Sequence, residues 1–253
     1  NAHAQAVIAH FSNYVYEYLF HDLPVSNATF ASIDFVFPEN SCLNPDVRAA
    51  TSNSVMVCTG VMSAVHNCFA KNTFCTEDWR QAGASMANAG NGLVLAGLSQ
   101  WEVPFADLLA YALNTEGQGG RPESDGMDAY GFPWCAFGRA PNVELMENEF
   151  PMLIPFSQHW RDSGGHGKSR GGCGTAQLWV APHVPAIYFT CISDNSRIQT
   201  PQPLFGGYAP CTTPGISIRN ADIIERLKRG DRDLTLDLND ILEHGSIDGN
   251  WEN

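Results

Sequence analysis

Charge is what this sequence has least of: 16% of its 253 residues are Asp, Glu, Lys or Arg, against the ~25% usual for a soluble domain. What charge there is runs one way, with 14 Lys and Arg against 27 Asp and Glu and a formal net charge of -13. So few cations exclude the basic patches that nucleic acid or an anionic membrane surface requires. No apolar run approaches the ~18 residues of a membrane-spanning helix, and no signal peptide opens the chain. The first residue is Asn1 rather than methionine, so the chain is expected to be a piece of something longer. None of its eight cysteines is separated from the next by the two residues of a zinc knuckle. They sit in apolar surroundings such as Val57-Cys58 and Phe189-Thr190-Cys191, which points to buried free thiols in a reducing cytosol and to a cytoplasmic location. A composition of 44% hydrophobic residues is globular. With so little charge to coat the surface, much of that surface is expected to be covered by partner subunits.

What the sequence does have is glycine, concentrated between Asp162 and Gly174 as Asp-Ser-Gly-Gly-His-Gly-Lys-Ser-Arg-Gly-Gly-Cys-Gly. Glycine costs conformational entropy on folding, so such a run is expected where backbone must take positive φ or approach another group closely. Two readings follow. The loop grips an anion, a carboxylate or another backbone, with main-chain N–H groups forming the concavity and Lys168 and Arg170 adding charge. Alternatively it is a glycine-rich crossing between sheets with no ligand at all. Gly167-Lys168-Ser169 reproduces the end of a nucleotide P-loop, but the first glycine of that pattern falls on Asp162, whose charge repels phosphate. The run before it, Ile154 to Trp160, carries Pro155 and His159 and does not read as a buried parallel strand.

Elsewhere the apolar spacing places an amphipathic helix from Val7 to Phe20, stopped at Asp22-Leu23-Pro24, and a second from Ser54 to Phe69. His10, His21 and His66 flank these helices and read as packing. Alternation from Phe30 to Phe37 predicts a strand, with a turn from Asn40 to Pro45. A second glycine-rich region spans Gly83 to Gly97. Phe105 to Leu113 fits helix or strand. Arg121-Pro122 and Asp125-Gly126 mark turns. Gln177–Val180 and Ala186–Cys191 read as a hairpin joined through Pro182 and Pro185, and a helix from Ala221 to Arg229 is expected between Asn220 and Gly230 caps.

Three glycine regions in this order resemble the C-terminal half of the hydantoinase B/oxoprolinase family, which includes the α subunits of acetone and acetophenone carboxylases. The residues carrying the resemblance are Ser41-Cys42-Leu43-Asn44-Pro45, Gly119-Gly120-Arg121-Pro122 with Asp125-Gly126, Val143-Glu144 with Glu149 and Pro151, the loop itself, and Leu204-Phe205-Gly206-Gly207. The family's closing run of four glycines and Tyr-Gly-Asp-Pro is replaced here by Gly245-Ser246-Ile247-Asp248-Gly249-Asn250-Trp251.

The resemblance implies a mixed, β-rich α+β fold with glycine-rich loops, residues 1–253 forming a single unit within a larger hydantoinase B-like subunit. It implies part of an ATP-dependent ketone carboxylase that joins a small, acetone-like ketone to bicarbonate to give a 3-oxo acid. An ATP-dependent hydrolase of hydantoins or lactams, and a non-catalytic assembly module, stand as alternatives. ATP with Mg would sit on a hydantoinase A-like β subunit, a small γ subunit would complete the hetero-oligomer, and a divalent metal such as Mn or Zn would be held by residues upstream of this chain. No metal ligand is assigned here. The candidate catalytic residues are His166, Lys168 and Arg170, with Gly164, Gly165, Gly167, Gly171 and Gly172 as the anion-binding backbone. Among these Arg170 offers the planar fork suited to an oxyanion.

Overall fold

The computed structural model describes residues 1–52, 54–85, 91–99, 101–108, 116–132, 135–136, 141–182, 184, 187–193, 195–245 and 247–252. Three small cores are formed among the described residues, and the glycine segments meet among them.

The first core is helical. Helix α1 (Ala4–Tyr14) runs into a single π-turn (Val15–Leu19) and packs on α2 (Ser54–Phe74). Its inward face presents Val7 to Cys58, and Phe11 and Tyr14 to Phe69, with ring centroids 5.7 and 5.1 Å apart. The expected strand from Phe30 to Phe37 is not formed. The segment has a 3-10 turn (Asn27–Phe30) and then an irregular path, because Phe30 and Phe35 are used edge-on against Phe11 instead of pairing a sheet edge. Its alternation was aromatic packing on a helix. The turn at 40–45 forms, closed by a bridge between Ser41 and Asn44.

The second core lies under an antiparallel sheet of order β2-β1-β7, where β1 is Asn91–Leu98, β2 Pro104–Leu108 and β7 Ile187–Ser193. Leu95 packs there on Met146 of α3 (Val143–Glu149) and on Phe150 and Met152. The open choice at Phe105 resolves to strand as far as Leu108; 109–113 lies outside the described residues. Residues 86–90 of the second glycine-rich region lie outside them too. Short strands β3 (Gly131–Phe132) and β4 (Cys135–Ala136) pair with each other.

The third core joins α4 (Ile223–Arg229), α5 (Leu238–His244) and Ile247 to the inner face of a hairpin, β5 (Leu153–His159) with β6 (Thr175–Val180). The hairpin expected between 177–180 and 186–191 is thus replaced: β6 pairs with β5, while β7 leaves to pair with β1. Pro155 lies where the β5–β6 register slips between Leu153 and Phe156, the irregularity expected of a residue with no N–H to give to a ladder. The N-cap position of helix α4 falls on Asp222 rather than Asn220, without a side-chain cap bond, and Gly230 at φ 66 closes it behind. β8 (Ser217–Arg219) and β9 (Asn250–Glu252) close the chain's end. The architecture is the mixed helix-and-strand class expected from the sequence.

Candidate functional site

The connection between β5 and β6 is residues 160–174, the glycine-rich loop itself. Trp160 N–H donates to Gly174 O at 2.8 Å and closes its base, and Ser163 Oγ ties both sides, donating to Trp160 O and accepting from Gly174 N–H. Asp162, at φ 60, turns the chain where a P-loop would need its first glycine.

The loop then threads between two other segments. On one side Gly172 N–H donates to Gln118 O (2.7 Å), Gly126 N–H to Arg170 O (2.7 Å) and Ala129 N–H to Cys173 O (2.9 Å). On the other, Tyr208 N–H donates to His166 O (2.8 Å) and Cys211 N–H to Ser163 O (3.1 Å). The absence of side chains is what allows this crossing. A Cβ on Gly117 would strike Gly172 O, one on Gly172 would strike Met127 O, and one on Gly164 would strike Gly171 O, all of them backbone atoms that cannot swing aside.

Beside this crossing lies a cavity of about 170 Å³, walled by segments 116–120, 163–175 and 201–213. Glu116, Gln118, Ser163, His166, Asn195 and Cys211 contribute to its lining. Glu116 and Gln118 are 7% and 2% exposed, so the wall is largely desolvated. Burial pushes the Cys211 thiol up to about 11, which keeps it protonated.

The residues expected from the sequence fall on both sides of this wall. His166 is exposed and reaches the cavity, as do Gly165, Gly171 and Gly172. Lys168 and Arg170 are not among the lining residues. Lys168 Nζ donates to Pro122 O at 3.4 Å. Arg170 donates from Nη1 to Asp128 Oδ1 (3.1 Å), Gly171 O (3.0 Å) and Cys173 Sγ (3.1 Å). The Cys173 N–H and that guanidinium together hold the Asp128 carboxyl below the usual carboxylate range. The loop amides of 170–174 are already engaged, Arg170 by Asp125, Gly171 by Gly165 O, Gly172 by Gln118 O, Cys173 by Asp128 and Gly174 by Ser163.

Sequence reasoning passed over Glu116 and Gln118, although a carboxylate and an amide alternating with glycine in Glu116-Gly117-Gln118-Gly119-Gly120 are the signal that marks them. It also passed over one His-x-x-Asp spacing, His159 to Asp162. Among the described residues no third donor completes a metal-sized group around that pair. The described residues contain one group of three close donors, Asp240, Glu243 and His244 on α5, of which Glu243 and His244 are exposed and none lines the cavity. A divalent metal therefore does not fit the cavity's own residues.

The thiols also depart from expectation. Those described are free, but Cys42, Cys68 and Cys75 are exposed, Cys173 and Cys211 half-buried, and only Cys58 buried. The side chains of Cys135 and Cys191 lie outside the described residues. An apolar neighbour in sequence decides little when helix and loop geometry set which way each Cβ points.

The hydantoinase B/oxoprolinase family matches residues 1–243. The chain belongs to this family. The acetophenone carboxylase delta subunit of Aromatoleum aromaticum is 66% identical over 252 residues, covering 100% of this chain and 37% of that protein. The caprolactamase subunit beta of Pseudomonas jessenii is 43% identical over 86 residues, 33% of this chain and 14% of that protein. The nucleotide-free structure of acetone carboxylase superposes with a TM-score of 0.80 at 24% identity, over 91% of this chain and 30% of that one, and shares the fold. The chain thus spans well under half the length of these hydantoinase B relatives. No helix among the described residues is long and apolar enough to cross a membrane.

Proposed function

We propose that the chain forms one wall of the carbon–carbon bond-forming site in a subunit of an ATP-dependent ketone carboxylase. The observation that carries this is the 66% identity to the acetophenone carboxylase delta subunit along the whole chain, which also favours an aromatic methyl ketone over acetone as substrate. The product would be a 3-oxo acid.

In this reading Glu116 is the group that takes a proton from the carbon next to the ketone carbonyl. It is a carboxylate in a largely water-excluded wall, the setting in which such a group acts as base. His166, at the rim, is the loop residue placed to exchange a proton with the ligand. The crossing of Gly164, Gly165, Gly171 and Gly172 fixes the wall, and Gly167 gives the loop its tip. Arg170 and Lys168 act as braces, since their contacts to Asp128 and Pro122 hold the loop against 122–128. ATP with Mg belongs on a hydantoinase A-like partner, a γ subunit completes the hetero-oligomer, and a Mn or Zn ion belongs to residues outside this chain. The cavity beside the loop speaks against a pure assembly module, for which a loop packed without a pocket would be the signature.

The caprolactamase likeness supports a second reading, ATP-dependent opening of a cyclic amide. The assembled complex, given ATP, bicarbonate and in turn acetophenone, acetone or caprolactam, separates the two by product and phosphate release. Bicarbonate-dependent 3-oxo acid formation is expected. Ring opening without carboxylation would transfer the assignment to the second reading, and turnover of none of the three would overturn both.

A further inference from the structure

Behind the cavity wall lies a second group of polar side chains that the proposed chemistry leaves unused. Helix α1 widens into the π-turn at Val15–Leu19, a device commonly found where a helix must re-aim a side chain at a functional site. Here Tyr18 donates to the Tyr130 hydroxyl at 3.5 Å and faces the Gln118 amide. Its ring stacks on Tyr14 at 5.0 Å and meets the His66 ring at 5.2 Å, while Tyr14 lies 4.4 Å from His66. The Thr73 hydroxyl lies within reach of the Tyr14 hydroxyl, and the Arg121 charge acts on it from farther off.

Tyr14, His66 and Gln118 are 0, 1 and 2% exposed. Both ring nitrogens of His66 find no hydrogen-bond partner among the described residues, while the Tyr14 hydroxyl and the Gln118 amide have only loose contacts, to Thr73 and Tyr18, that fall short of well-formed bonds. Dry packing would leave the His66 nitrogens with an uncompensated desolvation cost and the Tyr14 and Gln118 groups only partly compensated, and buried polar atoms gathered in one place in this way call for a guest that donates and accepts. The cluster has two carboxylate ends. Glu17, on the π-turn beside Tyr18, is exposed, and Glu116 lines the cavity, its carbonyl bound by the N–H of Gly131 next to Tyr130 at 3.1 Å.

We infer that this cluster holds resident water and forms a proton route from Glu17 at the surface, through Tyr18 and Tyr130, to Glu116 in the cavity. The inference rests on the reading of Glu116 as the proton-transfer group. In each step a hydroxyl or water gives its proton to the next acceptor as it receives one from the last, so no net charge stays on the buried groups. That matches their settings. Burial raises the hydroxyls, Tyr14 to about 12 and Tyr18 further, and lowers His66 to about 3, so all three stay neutral. On a residue otherwise open to solvent, partial desolvation of the Glu17 carboxyl raises it to about 7, so it can both take and release a proton near neutrality.

Two experiments on the assembled complex test this. Tyr14→Phe keeps the ring and removes one loosely held hydroxyl. If water fills the cluster, a bond is lost and Tm falls by about 2–4 °C; an unchanged or higher Tm means a dry cluster and overturns the route whatever the enzyme does. Tyr18→Phe breaks the route while leaving Glu116 in place. The expected result is kcat about 10-fold lower, short of the ~100-fold or more of losing the acid–base group itself. KM should be unchanged, the solvent deuterium isotope effect larger, and turnover partly restored by added imidazole. A parent-like isotope effect without rescue, whether or not kcat falls, overturns the route. If the parent complex carboxylates no ketone, the reading of Glu116 fails on its own, and a parent-like Tm in Tyr14→Phe would still sink the hydrated cluster separately.

Discussion

Gly172→Ala is the sharpest probe of how the wall is built. An added Cβ would overlap Met127 O and lie 3.0 Å from Asp128 N, and all of these neighbours are backbone. Segment 127–128 cannot retreat without loosening the two bonds that tie it to the loop at the same point, Ala129 N–H to Cys173 O and Cys173 N–H to Asp128 Oδ1. Overpacking costs about 1–3 kcal/mol, and two weakened hydrogen bonds at ~1 kcal/mol each bring the total to roughly 3–5 kcal/mol. At ~2–4 °C per kcal/mol for a unit of this size, the melting transition should fall by on the order of 10 °C. The assay is thermal unfolding of the complex beside two controls. At Gly215 a Cβ meets open space, and Gly215→Ala should leave Tm near the parent's. At Gly60, inside α2 with nothing within 4 Å, alanine should stabilise by about 0.5–1 kcal/mol through helix propensity. A Gly172→Ala melt within a degree or two of the parent, or an equal fall in Gly215→Ala, would refute the account of the crossing.

Four further outcomes are expected. Cys42, Cys68 and Cys75 should react quickly with a bulky thiol reagent in the isolated chain and Cys58 slowly, read by mass spectrometry of labelled peptides. Glu116→Gln should lower ketone turnover by roughly 100-fold or more with assembly intact, the usual scale for losing a general base; activity near that of the parent removes Glu116 from the chemistry. Arg170→Lys keeps the charge but loses the simultaneous reach to Asp128, Gly171 O and Cys173. The pair is more than a third exposed, so the stability cost should stay within ~1 kcal/mol by denaturant titration. Burial holds His66 at about 3 against an unfolded value near 6.5, so the unfolded chain binds a proton the folded one refuses. Stability is then full above about pH 6.5 and lost by on the order of 4 kcal/mol as pH falls toward 3, a slope that His66→Phe should flatten.

How much of this was legible beforehand varies with the range of the interaction involved. Helices α1 and α2 were readable because their partners lie three and four residues away, within the sequence pattern itself. The Gly230 cap was readable for the same reason. Strand pairing was not. Residues 177–180 and 187–191 are both good strands, close enough to suggest a hairpin, yet one pairs back with 153–159 and the other with 91–98. That choice depends on which apolar faces meet α4 and α5 on one side and α3 on the other. Nothing in either strand records it. Phe30–Phe37 failed in the opposite sense, since its alternation was real but served packing onto Phe11.

The site divides along the same line. Density of glycine marked residues 162–174 at once, and the loop does form the cavity's wall. Density, however, drew attention to its cations, whereas the structure turns Lys168 and Arg170 outward onto Pro122 and Asp128. A loop pinned by backbone contacts on both faces has few directions left for long side chains, so its charges brace the outside of the crossing while its glycines form the inside. The polar residues of the wall must then come mostly from the segments it crosses, which is why Glu116 and Gln118 contribute to its lining from the neighbouring segment 116–120. A wall made this way has a physical consequence. Main-chain atoms fixed by hydrogen bonds cannot adjust to a wrong ligand as rotamers can, so in the proposed reading the crossing's geometry would set ligand fit and the Glu116 carboxylate would meet a ligand already held in place.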